Sequence, residues 1–365
     1  MKKSSIFNLK SSILFALLFV SQIVLAGIDA STSLTKYYVR AEGKSGNDLR
    51  LALQEAITEH KIIPYKQLGT LMQWSDTENA DGKHVVDIYT DCGFTVSGPL
   101  KWISSGDLGD GMNREHTVPQ SWFGESTPMV SDAFHIYPTD SKANNNRSSF
   151  LYGEFEGEGT SYSSEDCKET GKLGYSDWTA GKTSYQYNNQ TYVASTSYSK
   201  RVYEPDDEYK GDLARGYFYM ATRYAGDCEK WSGGAFGSAN NGLGAYTAEL
   251  MLKWHRLDPV SEKELIRNEV IYGNKNYNKG SLKQNNRNPF IDYPELVEYI
   301  WGDKKGLSVT LEYLDSPYAN VTPTPQGFEE TDEQPGIETR KVLMNGHLYI
   351  QTHDGIFTIT GQRVQ

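Results

Sequence analysis

Apolar positions first fall into a regular pattern between Asp48 and His60, where Leu49, Leu53, Ala56 and Ile57 repeat at helical spacing behind Ser45 or Asn47 as a cap. Tyr65 to Trp74 continues a helical layer, and the apolar run Val85-Val86-Asp87-Ile88-Tyr89 predicts a strand or extended segment ending near Thr90 to Gly93. Residues 96–112, rich in Gly, Ser and Asp, predict a loop. Residues 153–200 predict long surface loops with short strands such as Gln190 to Ala194, a substrate wall or a plain insertion. Periodicity returns after Glu204-Pro205-Asp206-Asp207-Glu208, a helix start with proline in the first turn and acids facing the positive end of the dipole. Leu213, Tyr217, Met220, Ala221 and Tyr224 form its buried stripe. Further helices are expected from Ala245 to Arg256, from Ser261 to Tyr272 behind a Ser-x-x-Glu capping box, and from Pro294 to Trp301. The pattern predicts an α+β chain in which a helix-rich domain carries a small sheet.

Both ends depart from it. Lys2, Lys3 and Lys10, an apolar run from Ile13 to Leu25 and small residues near Ala26 compose a secretory signal, expected over residues 1–26. The run is shorter than the roughly 18 to 20 apolar residues of a bilayer span. Residues 317–339 hold prolines and acids and read as a linker between a catalytic domain, 27–316, and a module, 340–365. In that module Asn345-Gly346 and Asp354-Gly355 are hairpin-turn dipeptides between three short apolar segments, predicting a β meander.

Composition changes this picture in two places. The formal charge of −11 would become −14 on loss of the three signal lysines, so the whole molecule repels a polyanion at long range. Screening over a Debye length of about 8 Å leaves the decision to the local site. Export permits a disulfide among Cys92, Cys167 and Cys228, without indicating which pair, and the missing CxxC spacing argues against a thiolate zinc site.

The chemistry is concentrated in Asn113-Arg114-Glu115-His116-Thr117-Val118-Pro119, followed by Asp132 to Pro138 and Asn144-Asn145-Asn146-Arg147. Glu115 and Asn144 offer hard oxygen ligands of the kind that hold Mg²⁺ while water and phosphate take the other positions. An imidazole at His116, with an ordinary pKa of about 6.5, can take a proton from water. These residues describe a one-metal hydrolase. Neighbours on a regular strand face opposite ways, so Glu115 and His116 share a site only where the strand bends or ends. On a helix, Asn144, Arg147 and Ser148 share a face, so a guanidinium could be aimed at phosphate beside the metal ligand.

These motifs, with Phe150 to Glu154, Glu204 to Tyr224 and Asn286 to Asp292, resemble the endonuclease I family of secreted bacterial nucleases over roughly residues 36–303. The resemblance implies a ββα-metal finger, or His-Me finger, embedded in the helix-rich domain. It also implies Glu115 and Asn144 as metal ligands, His116 as general base and Mg²⁺ as cofactor, with Mn²⁺ or Ca²⁺ as substitutes. DNA is the expected substrate, RNA staying open, with 5′-phosphate products and a secreted monomer, extracellular or periplasmic. Arg147 is assigned to catalysis, and Arg114, Lys210, Arg215 and Arg287 to substrate binding, Arg114 weighed against a support of the finger and the others against ordinary surface or ion-pair roles. Several relatives read Asp-Leu-His where this chain has Asp132-Ala133-Phe134-His135, which leaves the role of His135 open; its place in the apolar run Phe134-His135-Ile136-Tyr137 favours a structural histidine over a catalytic part. The C-terminal meander resembles sorting or surface-attachment modules of exported proteins. The alternatives are a zinc hydrolase using His116 and His135, and a surface nucleic-acid-binding protein without turnover.

Overall fold

Leu49, Leu53 and Ile57 are fully buried on one side of the first long helix, α1 (Gly46–Ile57), as their spacing predicts. The computed structural model describes residues 34–320 and the strands 340–344, 347–352 and 355–358. The expected signal, most of the expected linker and the Asn345-Gly346 turn lie outside the described residues.

The next helix, α2 (Leu68–Ser75), buries Leu68, Leu71 and Met72. Val85 to Tyr89 makes no regular strand, only an isolated bridge between Thr77 and Val85, and the chain bends at Ile88 and Tyr89. Asp87 explains this: its carboxylate accepts the backbone N–H groups of Tyr89 and Thr90, turning the chain where a ladder would continue.

Two antiparallel strands follow, β1 (Met112–His116) and β2 (Ile136–Asp140), in a register that sets Glu115 opposite Tyr137 and His116 opposite Ile136. Helix α3 (Ser141–Arg147) begins on the next residue. Asp140 makes that abrupt change possible as N-cap, accepting from the N–H groups of Lys142 and Ala143.

The expected loop region contains more sheet than its composition suggests. Strands β3 (Leu151–Tyr152), β4 (Lys172–Tyr175) and, further along, β7 (Arg201–Glu204) form one sheet in the order β3-β7-β4, with β3 parallel and β4 antiparallel to β7. Between them, β5 (Ser184–Tyr187) and β6 (Gln190–Val193) make a hairpin whose turn residues, Asn188 and Asn189, both have positive φ. Cys92 and Cys167 form a disulfide, and Cys228 is a buried free thiol.

The helical half is built from α4 (Lys210–Arg223), α5 (Ala245–Leu257) and α6 (Glu262–Tyr272). Every residue of α4 from Gly211 to Thr222 is buried, so it is the centre of the domain. The capping box at α6 is present, with Ser261 and Glu264 bonding reciprocally. A separate unit holds the C-terminal strands Arg340–Met344, His347–Thr352 and Gly355–Thr358 as an antiparallel meander.

Near the end of α5, His255 is buried and its Nδ1 has no hydrogen-bond partner among the described residues. Burial, then the charges of Arg215 and Arg256, hold its pKa well below the ordinary value. Below pH about 6.5 the unfolded chain therefore binds a proton that the folded chain refuses, and stability falls with pH by roughly 1.4 kcal/mol per unit for this group. Thermal melts between pH 7 and pH 5 are expected to show a smaller drop for His255→Gln than for the unaltered chain; equal slopes would exclude this histidine as a source.

Candidate active site

The site is assembled around Asp87. One oxygen accepts from the Thr139 hydroxyl at 2.5 Å and the other from Asp140 N at 2.8 Å and the Thr90 hydroxyl at 2.6 Å. One buried carboxylate thus pins the segment carrying Tyr89 to the junction of β2 and α3. Burial raises its pKa, against the hydroxyl and N–H donors that favour the charged form.

Glu115, 2% exposed, lies beneath that segment. Its Oε1 accepts from the Tyr89 hydroxyl at 2.9 Å, with the Tyr152 hydroxyl at 3.5 Å and Arg147 Nε at 3.2 Å. The two tyrosine hydroxyls are themselves 2.5 Å apart. Burial pushes the Glu115 carboxyl upward, while Arg147, Tyr89 and Tyr152 favour its ionised form. All these partners hold Oε1, and Oε2 has no hydrogen bond among the described residues.

Arg147 is placed inside, 1% exposed, instead of facing solvent beside Asn144. Its guanidinium donates to the carbonyls of Thr117 at 2.5 Å, Ser148 at 3.0 Å and His116 at 3.5 Å, and stacks over Tyr152. Helix α3 ends at Arg147 and Ser148 leaves it with a φ of 55°, so of the shared helical face expected for Asn144, Arg147 and Ser148 only the first two remain, both bonded to carbonyls at β1 and its end.

His116 ends β1 and is 6% exposed. Its Nε2 lies 3.1 Å from the Val130 carbonyl, an acceptor only, so Nε2 carries the ring proton and donates. Nδ1 is left as a lone pair with no protein partner among the described residues. The ring stacks against Tyr65, centroids 5.8 Å apart, and tilts 5.5 Å from His135. Burial first, then the neighbouring His135, lower its pKa to about 3, so the ring is neutral at working pH. His135 is fully buried, bonds Met129 O through Nε2 at 2.7 Å, and has an Nδ1 shut off without a partner among the described residues. That is the structural setting the sequence suggests for it.

Asn144 is half-buried and donates from Nδ2 to the Arg114 carbonyl at 3.4 Å, which sets its side chain against the residue preceding Glu115. Its Oδ1 is not engaged within the described residues. Two unengaged oxygens, Glu115 Oε2 and Asn144 Oδ1, on a strand and a helix packed together, suit a hard divalent cation in donor chemistry. Arg114 lies over Tyr65 at 4.0 Å, near Trp102, and donates to the Tyr65 carbonyl. Strand, helix and buried arginine therefore bring Arg114, Glu115, His116, Asn144 and Arg147 together.

The other three expected substrate contacts sit in separate networks. Arg215 has no exposure and donates to Glu264 through Nε and Nη2, and to the Asp258 carbonyl through Nη1. Arg287, buried, pairs with Asp292 and Glu269. Both guanidinium groups are spent internally, so they act as ties between α4, α6 and the segment before 292. Lys210 pairs with Glu204 and Asp207 and lines a depression of about 890 Å³. Six acids against three lysines around that depression make it an unfavourable place for phosphate.

Sequence reading passed over Asp87, Tyr89 and Tyr152. The two tyrosines read as core aromatics, but Asp87 carries a usable signal: a lone acid inside an otherwise apolar run demands buried donors.

Comparison with known proteins gives the family. The Endonuclease I family model matches residues 45–295, which include all of it. The extracellular ribonuclease of Bacillus subtilis (strain 168) is 31% identical over 269 residues, covering 73% of this chain and 78% of that protein. The extracellular ribonuclease of Bacillus amyloliquefaciens is 32% identical over 280 residues, covering 76% of this chain and 81% of the relative. With a site built on β1, β2 and α3, a family match across most of the chain and two relatives above 30% identity, the chain belongs to the endonuclease I family.

Proposed function

We propose that this chain is a secreted endonuclease that cuts phosphodiester bonds in RNA and DNA by a one-metal mechanism, with His116 as general base. The observation that carries the proposal is the His116 tautomer: Nε2–H is committed to the Val130 carbonyl, which aims a neutral Nδ1 lone pair outward as a proton acceptor. Arg147 holds the carbonyls of His116 and Thr117, so it positions the base instead of touching phosphate. Tyr89 and Tyr152 fix one oxygen of Glu115 and leave the other, with Asn144 Oδ1, to hold Mg²⁺. A divalent cation bound there would neutralise charge on the phosphate and the leaving oxygen. Water losing its proton to Nδ1 attacks phosphorus, and the 3′ oxygen departs, leaving a 5′-phosphate.

This chemistry uses no 2′-hydroxyl, so DNA and RNA are both substrates, and the ribonuclease names of the two relatives support RNA. The zinc alternative loses support because His135 is fully buried with its Nδ1 enclosed, which keeps it from joining His116 at an open metal position. The test is digestion of plasmid DNA and of a single-stranded RNA by the purified chain, with end analysis. Cleavage in Mg²⁺, abolished by EDTA and restored by Mg²⁺ but not by Zn²⁺, with 5′-phosphate ends on both, is the expected result. Undiminished cutting in EDTA, or 2′,3′-cyclic phosphate ends on RNA, would overturn the mechanism.

A further inference from the structure

Helix α3 has a second polar face. Asn144 is directed to β1, whereas Lys142, Asn145 and Asn146 lie on the adjoining side and border a depression of about 450 Å³. Its opposite wall carries Phe150, Tyr162 and Arg201. No carboxylate lines it. Glu169, the nearest acid bonded to a lining residue, is buried and occupied by Asn146, the Tyr203 hydroxyl and Tyr162 N. Lys142 lies 4.8 Å from the Tyr162 ring centroid and Arg201 lies 5.3 Å from that of Phe150. Neither cation forms an ion pair among the described residues. In a chain of net charge −11, two unneutralised cations beside two aromatic rings, next to the candidate active site, need an explanation that packing does not give.

Resting on the nuclease reading above, we infer that this depression is a nucleotide subsite, taking a base and its phosphate from the strand that runs on from the scissile bond. The occupant is single-stranded polynucleotide. Tyr162, 39% exposed, offers a π face on which any base stacks, and Arg201, exposed, offers both charge and a planar guanidinium. Lys142 and Arg201 neutralise flanking phosphates. Asn145 and Asn146 border the base without a fixed pattern of complementary donors, so the subsite contributes affinity with little sequence preference. Because Asn144 shares one short helix with the lining residues Lys142, Asn145 and Asn146, a strand with its phosphate at Asn144 crosses this face without a change of direction.

The experiment compares wild type, Tyr162→Ala, Arg201→Ala and the double variant on a 12-nucleotide single strand and on bis(p-nitrophenyl) phosphate, a diester too short to reach the subsite. Each single variant is expected to lower kcat/KM on the oligonucleotide about tenfold, the size of one lost base stack, mostly through KM, and to leave the small diester rate unchanged. In binding assays on a His116→Ala background, Arg201→Ala should reduce the slope of log affinity against log salt by about one. Equal oligonucleotide kinetics in all four proteins would overturn the subsite and leave the nuclease reading intact. Equal loss on both substrates would also overturn it, by assigning these residues a structural role. Failure of wild type to cut either substrate in Mg²⁺ would instead sink the nuclease reading.

Discussion

His116→Ala is expected to lower kcat on polynucleotide by about 10²- to 10⁴-fold, the usual contribution of a positioned general base, with little change in KM. The geometry makes the loss specific to Nδ1. Nε2 is already committed to Val130, so a side chain that keeps this donor but lacks a basic lone pair should restore the fold and not the rate. His116→Gln serves that purpose: its amide N–H can still reach the carbonyl, and its melting temperature is expected to lie closer to wild type than that of His116→Ala. Single-turnover cleavage in Mg²⁺ is the measurement. A His116→Ala protein that cuts at the wild-type rate would remove the base from this position while leaving the family assignment untouched.

The second large effect concerns stability. Arg147→Ala removes one partner of a buried ion pair whose members are 1% and 2% exposed, and strips donors from the Thr117, Ser148 and His116 carbonyls. Breaking such a pair from one side costs about 3–5 kcal/mol, because the remaining charge stays buried without compensation. Urea unfolding should show that loss as a lower midpoint with an unchanged slope. The double variant Glu115→Gln/Arg147→Met should recover part of it, since neither charge is left alone. A folded Arg147→Ala enzyme of wild-type stability with a large catalytic defect would contradict this and return the residue to direct phosphate contact, the role its place in the sequence suggests.

The contrast between these two arginine roles shows what the chain discloses by its order of residues. Helical spacing located α1, α4, α5 and α6 because each buries a stripe, and stripes are local patterns. Glu115, His116 and Asn144 were legible because their residue types in that order resemble a known family, and the match over residues 45–295 supports the family. Direction was not legible. Whether Arg147 or Arg215 meets solvent or a buried acid depends on residues far away in sequence, such as Glu264 for Arg215, 49 positions on. The β3-β7-β4 sheet was hidden for the same reason: Leu151 pairs with Val202 across a stretch whose Gly, Ser and Tyr content reads as loop.

The bridge between Cys92 and Cys167 closes a covalent ring, 75 residues apart in sequence, and β1, β2 and α3 all lie within it. The ring therefore contains Glu115, His116 and Asn144 together. In topological terms the segment carrying the candidate site has two independent attachments to the rest of the molecule. A single backbone cut anywhere from 93 to 166, including the exposed stretch around Gly157 to Asp166, leaves both new ends tethered through the sulfurs. In the secreted setting proposed above, the first nick opens the ring without releasing a fragment, and only a second cut or reduction of the bridge can detach part of the candidate site.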